Sequence, residues 1–130
     1  MLRTMTVHEP LVLVADDDDD IRSLVIFRLE RSGYRVIAAA DGAEALALAL
    51  EHAPDLAVLD VMMPKLDGYE LTRRLRNEDA TRAMPVILLT SRAQEADVAR
   101  GFECGADDYI RKPFSPHELR ARVAAILGRR

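Results

Sequence analysis

Cysteine occurs once in these 130 residues, as Cys104, which excludes an internal disulfide and leaves no cysteine-based metal motif. Cys104 reads instead as a small buried hydrophobe near a helix end. No run approaches the roughly 18 consecutive apolar residues that a membrane span needs. Met1 to Pro10 carries one arginine and no continuous apolar stretch, so no signal peptide is expected and a cytoplasmic location is the default. Positive charge is not in excess either. A net charge of −4 argues against nucleic-acid binding through a broad basic face. A local basic end is visible in Arg111, Lys112, Arg120, Arg122, Arg129 and Arg130, most simply a solvated helix face. His8, His52 and His117 have no companion at metal-ligand spacing and are expected at the surface. Internal repeats, low-complexity linkers and a second domain are absent as well.

What remains is a chain of ordinary domain size, 49% hydrophobic and 31% charged, as expected of a soluble globular unit. Its first nine residues read as a tail and residues 10–128 as one domain. Five apolar strand candidates, Leu11–Ala15, Tyr34–Ala38, Asp55–Leu59, Pro85–Leu89 and Asp107–Ile110, alternate with five helical candidates. Ile21, Leu24, Val25 and Leu29 recur at helical spacing before Gly33. An alanine-rich helix follows from Gly42 to His52, a third from about Tyr69 to Arg76, and a fourth from about Gln94 to Cys104. In the last, Leu119, Val123, Ile126 and Leu127 share a face behind a Ser115–Glu118 capping box. Such alternation implies βαβ units, hence a doubly wound α/β fold with a parallel sheet covered on both faces.

The strand ends carry the chemistry. The first strand runs into five aspartates, Asp16 to Asp20; the third ends in Asp60, the fourth in Thr90-Ser91, and the fifth leads to Lys112-Pro113. In open α/β sheets ligands bind at the carboxyl ends of strands. If strands one, three, four and five are neighbours, three carboxylates, a hydroxyl and an amine converge on one crevice. Hard oxygen ligands suit Mg²⁺, a carboxylate can act as nucleophile, and transferred phosphoryl oxygens need donors and positive charge. Within the run, Asp16 and Asp17 are expected to face the crevice, Asp19 and Asp20 to cap the first helix, and Asp18 has no assigned role. Pro64 and Gly68 are expected to serve the turn out of the third strand.

Asp16-Asp17, Leu59-Asp60-Val61-Met62-Met63-Pro64-Lys65-Leu66-Asp67-Gly68, Leu88-Leu89-Thr90-Ser91, Gly101 to Ile110 and Lys112-Pro113-Phe114 together resemble the receiver domain of two-component response regulators. The resemblance runs in order from Leu11 to Leu127 and implies the flavodoxin-like strand order 2-1-3-4-5. It implies that Asp60 accepts a phosphoryl group from a histidine kinase, a histidine phosphotransfer protein or a small acyl phosphate. Asp16, Asp17, Asp60 and the backbone carbonyl of Met62 would hold Mg²⁺, which Mn²⁺ or Ca²⁺ could replace. Lys112 would pair with the phosphoryl oxygens through a cis bond to Pro113, Thr90 would bond the phosphoryl group, and Tyr109 would swing inward behind it. The switched surface would be that of the fourth helix, fifth strand and last helix. The module would be a signalling domain rather than an enzyme, limited to its own phosphorylation and dephosphorylation.

Met62 and Arg92 resemble the rate-tuning pair of winged-helix transcription regulators, which implies a long-lived phosphoryl state. Homodimers of that subfamily use charge pairs on the same surface. Here Asp108 and Arg122 supply one pair, whereas Val98 and Ala124 leave Glu103 and Glu118 without partners. A haloacid-dehalogenase-type phosphatase, built on Asp16 and Asp18, is the competing enzyme; it leaves the Asp60–Gly68 motif unused. A degenerate, unphosphorylated receiver has no motivating residue. A stand-alone receiver and one excised from a longer regulator are both open at this point.

Overall fold

The computed structural model describes residues 9–91 and 103–128. Arg92, Val98 and the helix expected from Gln94 lie outside them, apart from Glu103 and Cys104 at its end. Strands β1 (Leu11–Ala15), β2 (Arg35–Ala39), β3 (Leu56–Asp60), β4 (Val86–Thr90) and β5 (Asp108–Arg111) form one parallel sheet of order β2-β1-β3-β4-β5. Helices α1 (Asp19–Arg31), α2 (Gly42–His52), α3 (Gly68–Arg76) and a C-terminal helix (Pro116–Leu127) connect and follow them.

The central strands are buried on both faces, and their period of two sorts them into two cores. Leu13, Ala57, Leu59 and Leu88 meet Ala45 and Ala49 of α2 and Leu71 and Leu75 of α3. Val12, Val14, Val58 and Ile87 meet Val25 and Leu29 of α1 and Leu119 and Val123 of the C-terminal helix. Small alanines let α2 lie close to the sheet, while β-branched residues fill the opposite face.

Strands β2 to β5 each sit one residue later than expected. At β2, the Tyr34 N–H is already bonded to the Leu29 carbonyl at the end of α1, 3.1 Å. At β4, Pro85 has no N–H to give to a ladder. The shift matters at the other end, because Asp60 and Thr90 become the last residues within their strands rather than loop residues.

The helix starts correct one reading. Asp18, not Asp19 or Asp20, is the N-cap of α1, accepting from the N–H groups of Asp20 and Ile21 at 2.9 and 3.1 Å. Asp19 and Asp20 occupy the first turn, where the helix dipole favours anions. Ser115 caps the C-terminal helix as expected, accepting from Glu118 N at 3.0 Å.

Candidate functional site

Strand order brings the carboxyl ends of β1, β3, β4 and β5 side by side, which sets Asp16, Asp60, Thr90 and Lys112 around one crevice. Adjacent strands are ~4.8 Å apart, so only a long side chain can reach back from β5 to β3 and β1. Lys112 does so. Its Nζ donates to Asp60 Oδ1 at 2.9 Å and to Asp16 Oδ2 at 3.1 Å. Both carboxylates are buried, and Asp17 joins them from the exposed side, with carboxylate oxygens of all three within 4.8 Å of one another. The Lys112–Pro113 bond is cis.

The electrostatics follow from that geometry. Burial pushes the Asp60 carboxyl up to about 6, the Lys112 hydrogen bond opposes this, and the charges of Asp16 and Asp17 add to it. Burial alone depresses the Lys112 ammonium, but the hydrogen bond and charge of Asp60, with the charge of Asp16, outweigh it and hold the group above its ordinary value. One ammonium therefore faces three carboxylates, and the cluster is short of positive charge. Its donor set is all hard oxygen, which fits a Mg²⁺-class ion. The buried Thr90 hydroxyl, 3% exposed, has no hydrogen-bond partner among the described residues. A buried hydroxyl is left unpaired only at a cost, so it is available to something that enters the crevice.

The remaining expected residues lie at the rim or behind the site. Met62 is exposed and lines a groove at the mouth with Asp17, Met63, Pro64 and Asp67. Tyr109 is half-buried on β5, opposite Leu88 and packed against the core of that face. His52 and His117 are exposed as expected. Asp108 and Arg122 do pair, at 3.0 Å, but within one chain, where Arg122 also meets Glu118 at 3.5 Å.

Several supports of the site were not anticipated. Arg22 of α1 donates to the Asp16 carbonyl at 2.9 Å and pairs with Asp19, fixing the turn that carries Asp17. An arginine three residues beyond an aspartate, one turn into a helix after the acidic run, was the available signal. Asp16 itself accepts from Asp18 N at 2.9 Å, so its position is fixed through carbonyl, carboxylate and amide together. Gly68 lies in the turn out of β3, its N–H donating to the Val61 carbonyl at 2.9 Å, and serves it by close approach. A Cβ there would lie 2.7 Å from the Asp60 carbonyl oxygen. The unusual backbone belongs to Lys65, at φ +72°, inside a tight turn closed by Leu66 N to the Pro64 carbonyl at 2.7 Å.

Comparison with known proteins agrees with this geometry. A family model described as the response regulator receiver domain matches residues 12–124. The chain is 52% identical over 118 residues to the alkaline phosphatase synthesis transcriptional regulatory protein PhoP of Bacillus subtilis, covering 91% of this chain and 48% of PhoP. It thus spans about half the length of the curated relatives it matches. A solved response regulator from Chloroflexus aurantiacus superposes with a TM-score of 0.88 at 39% identity, covering 93% of this chain and 99% of that one. The receiver domain of a sensor histidine kinase from Pseudomonas aeruginosa, with a magnesium ion coordinated in its active-site cleft, gives 0.86 at 31% identity, covering 93% and 99%.

Proposed function

This chain belongs to the response regulator receiver family, and on that premise we propose that Asp60 is its phospho-acceptor. Receivers are signalling domains that work with histidine kinases, not classical enzymes. The observation that carries the assignment is the bridge from Lys112 to two buried carboxylates, of which only Asp60 ends a central strand next to the unpaired Thr90 hydroxyl's strand.

In this reading an Asp60 carboxylate oxygen attacks the phosphorus of a phosphohistidine or a small acyl phosphate. A P–O bond forms, the bond from phosphorus to imidazole nitrogen or acyl oxygen breaks, and the leaving group takes the electron pair. Asp16, Asp17, Asp60 and the Met62 carbonyl would hold Mg²⁺, which would offset the crowded negative charge on cluster and phosphoryl group. Mg²⁺ in the cleft of the related Pseudomonas receiver domain supports the choice of metal. Lys112 turns from Asp60 toward a phosphoryl oxygen, and Thr90 donates its spare hydroxyl to another. Tyr109 follows, altering the face of β5 and the C-terminal helix that a partner reads.

Residues 10–128 are the receiver unit and 1–9 a tail. Met62 with Arg92 gives a phosphoryl state outlasting seconds, hydrolysed slowly by the domain itself. The relatives are transcriptional regulators, so the switched face acts on a transcription effector, in the same chain or a partner, or on a second receiver. Incubation with acetyl phosphate and Mg²⁺ tests the assignment: one label per chain is expected at Asp60, none in Asp60→Asn. Label retained at full stoichiometry in that variant, or multiple turnover of a chromogenic phosphate ester, refutes it.

A further inference from the structure

Arginines on this surface mostly sit beside a carboxylate. Arg22, Arg73, Arg74, Arg76, Arg82 and Arg122 each meet an aspartate or glutamate within 4.0 Å. Arg28, Arg31 and Arg120 have no such partner among the described residues, and all three line one cleft with Ser32, Pro116 and His117. Its volume is about 390 Å³, and none of the described residues that line it is acidic.

Two of these cations have a local explanation. Arg28 and Arg31 lie in the last turn of α1, where the dipole favours positive charge. The other side of the cleft adds Arg120, in the second turn of the C-terminal helix, with His117 one turn before it. Phe27 adds organisation: the guanidinium carbons of Arg28 and Arg31 lie 5.8 and 5.6 Å from its half-exposed ring. The electron-rich face holds both cations together and offsets their mutual repulsion. Three arginines without a carboxylate partner among the described residues, gathered in one concave site on a chain of net charge −4, call for an anion.

We propose that this cleft binds a small anion bearing two or more adjacent phosphoryl groups. Forked guanidiniums pair with phosphate oxygens two at a time, and the volume suits a di- or triphosphate moiety. A protein-sized acidic partner is disfavoured because it also meets the rest of a chain whose net charge is −4. A small anion within a Debye length of about 8 Å feels mainly the local cluster. The site is separate from the Asp60 crevice and does not depend on its assignment.

Calorimetric titration of the whole chain with sodium tripolyphosphate, in metal-free buffer containing EDTA at physiological salt, tests the proposal. Saturable binding to one site is expected, with inorganic phosphate at least ~10-fold weaker. Arg28→Ala with Arg120→Ala weakens tripolyphosphate ~100-fold, and the single exposed reversal Arg31→Glu at least ~10-fold. Arg82→Ala, whose arginine is paired with Asp79, leaves it unchanged. All variants keep acetyl phosphate labelling of Asp60, so failure here and failure of the acceptor assignment are distinct results. No heat of binding at about 1 mM ligand, equal affinity in wild type and the double variant, or equally tight binding of an acidic peptide of matched charge would each overturn the proposal.

Discussion

The two ends of the sheet each hold a cluster of polar groups, part buried and part exposed, and they are built to opposite rules. At the amino ends, Arg76 of α3 donates to the Gly105 carbonyl at 3.0 and 2.7 Å, to the Met84 carbonyl at 2.6 Å and to Asp107 at 2.9 Å. Asp107 in turn accepts from Val86 N at 2.8 Å. Thr81 nearby donates to the Leu75 carbonyl at 2.7 Å. At the carboxyl ends, three carboxylates share one ammonium and a buried hydroxyl goes unpaired. The first cluster is satisfied and holds loops in place; the second is short of charge and of partners. Satisfied networks stabilise, whereas incomplete ones mark the place where something else binds.

Perturbing each end should separate the two rules. Arg76→Ala breaks the satisfied end and is expected to be the largest effect, about 3 kcal/mol of destabilisation by urea titration, with Asp60 labelling retained in the folded fraction. Asp60→Asn acts in the opposite direction. Its native carboxyl ionises at about 6 against an ordinary 3.8, so between those values the folded chain holds a proton that the unfolded chain has lost. Stability therefore falls as pH rises through that window. Asp60→Asn should be about 2 kcal/mol more stable than wild type at about pH 7.5 without metal, the gain vanishing by about pH 4. Mg²⁺ should narrow the gap, since it stabilises only the wild type to that extent; an unchanged gap would sink the metal assignment.

A matched pair of hydroxyl deletions gives the finest comparison. Thr81→Val, which removes the buried hydroxyl's bond to the Leu75 carbonyl, should cost about 1 kcal/mol. Thr90→Val removes a hydroxyl with no partner among the described residues and should be neutral or stabilising by up to about 1 kcal/mol, while impairing the phosphorylated state. Equal costs in the two variants, measured by thermal melts, would show that the ends do not differ in this respect. The smallest signal is spectroscopic: the Asp60 carboxyl resonance should titrate near 6 without metal and at lower pH with Mg²⁺.

The open end was largely legible in the sequence and the closed end was not. Asp16, Asp60, Thr90 and Lys112 each follow or end an apolar run, so a parallel sheet alone predicts their convergence. Arg76 gave no such cue, because its partners at Met84, Gly105 and Asp107 are brought to it only by packing of α3 against β4 and β5. Asp18 was hidden among equivalent neighbours, since which of five aspartates caps a helix depends on where its first turn begins. Arg120 is exposed, as the solvated reading had it; that it shares a cleft with Arg28 and Arg31, some ninety residues earlier in the chain, had no cue in the sequence.

The loop between β3 and α3 has a consequence for how this fold can vary. At one side a Cβ on Gly42 would collide with the Leu66 carbonyl, and at the other Gly68 lies against the Asp60 backbone. Between them the chain turns at Lys65 with no slack. Its length is therefore a fixed dimension: inserting or deleting a single residue between Val61 and Asp67 would pry α3 off the strand end, whatever the identity of the residue. Val61 and Met63 are buried, Leu66 packs against the core and Asp67 caps α3, so most of its side chains are held as firmly as its residue count.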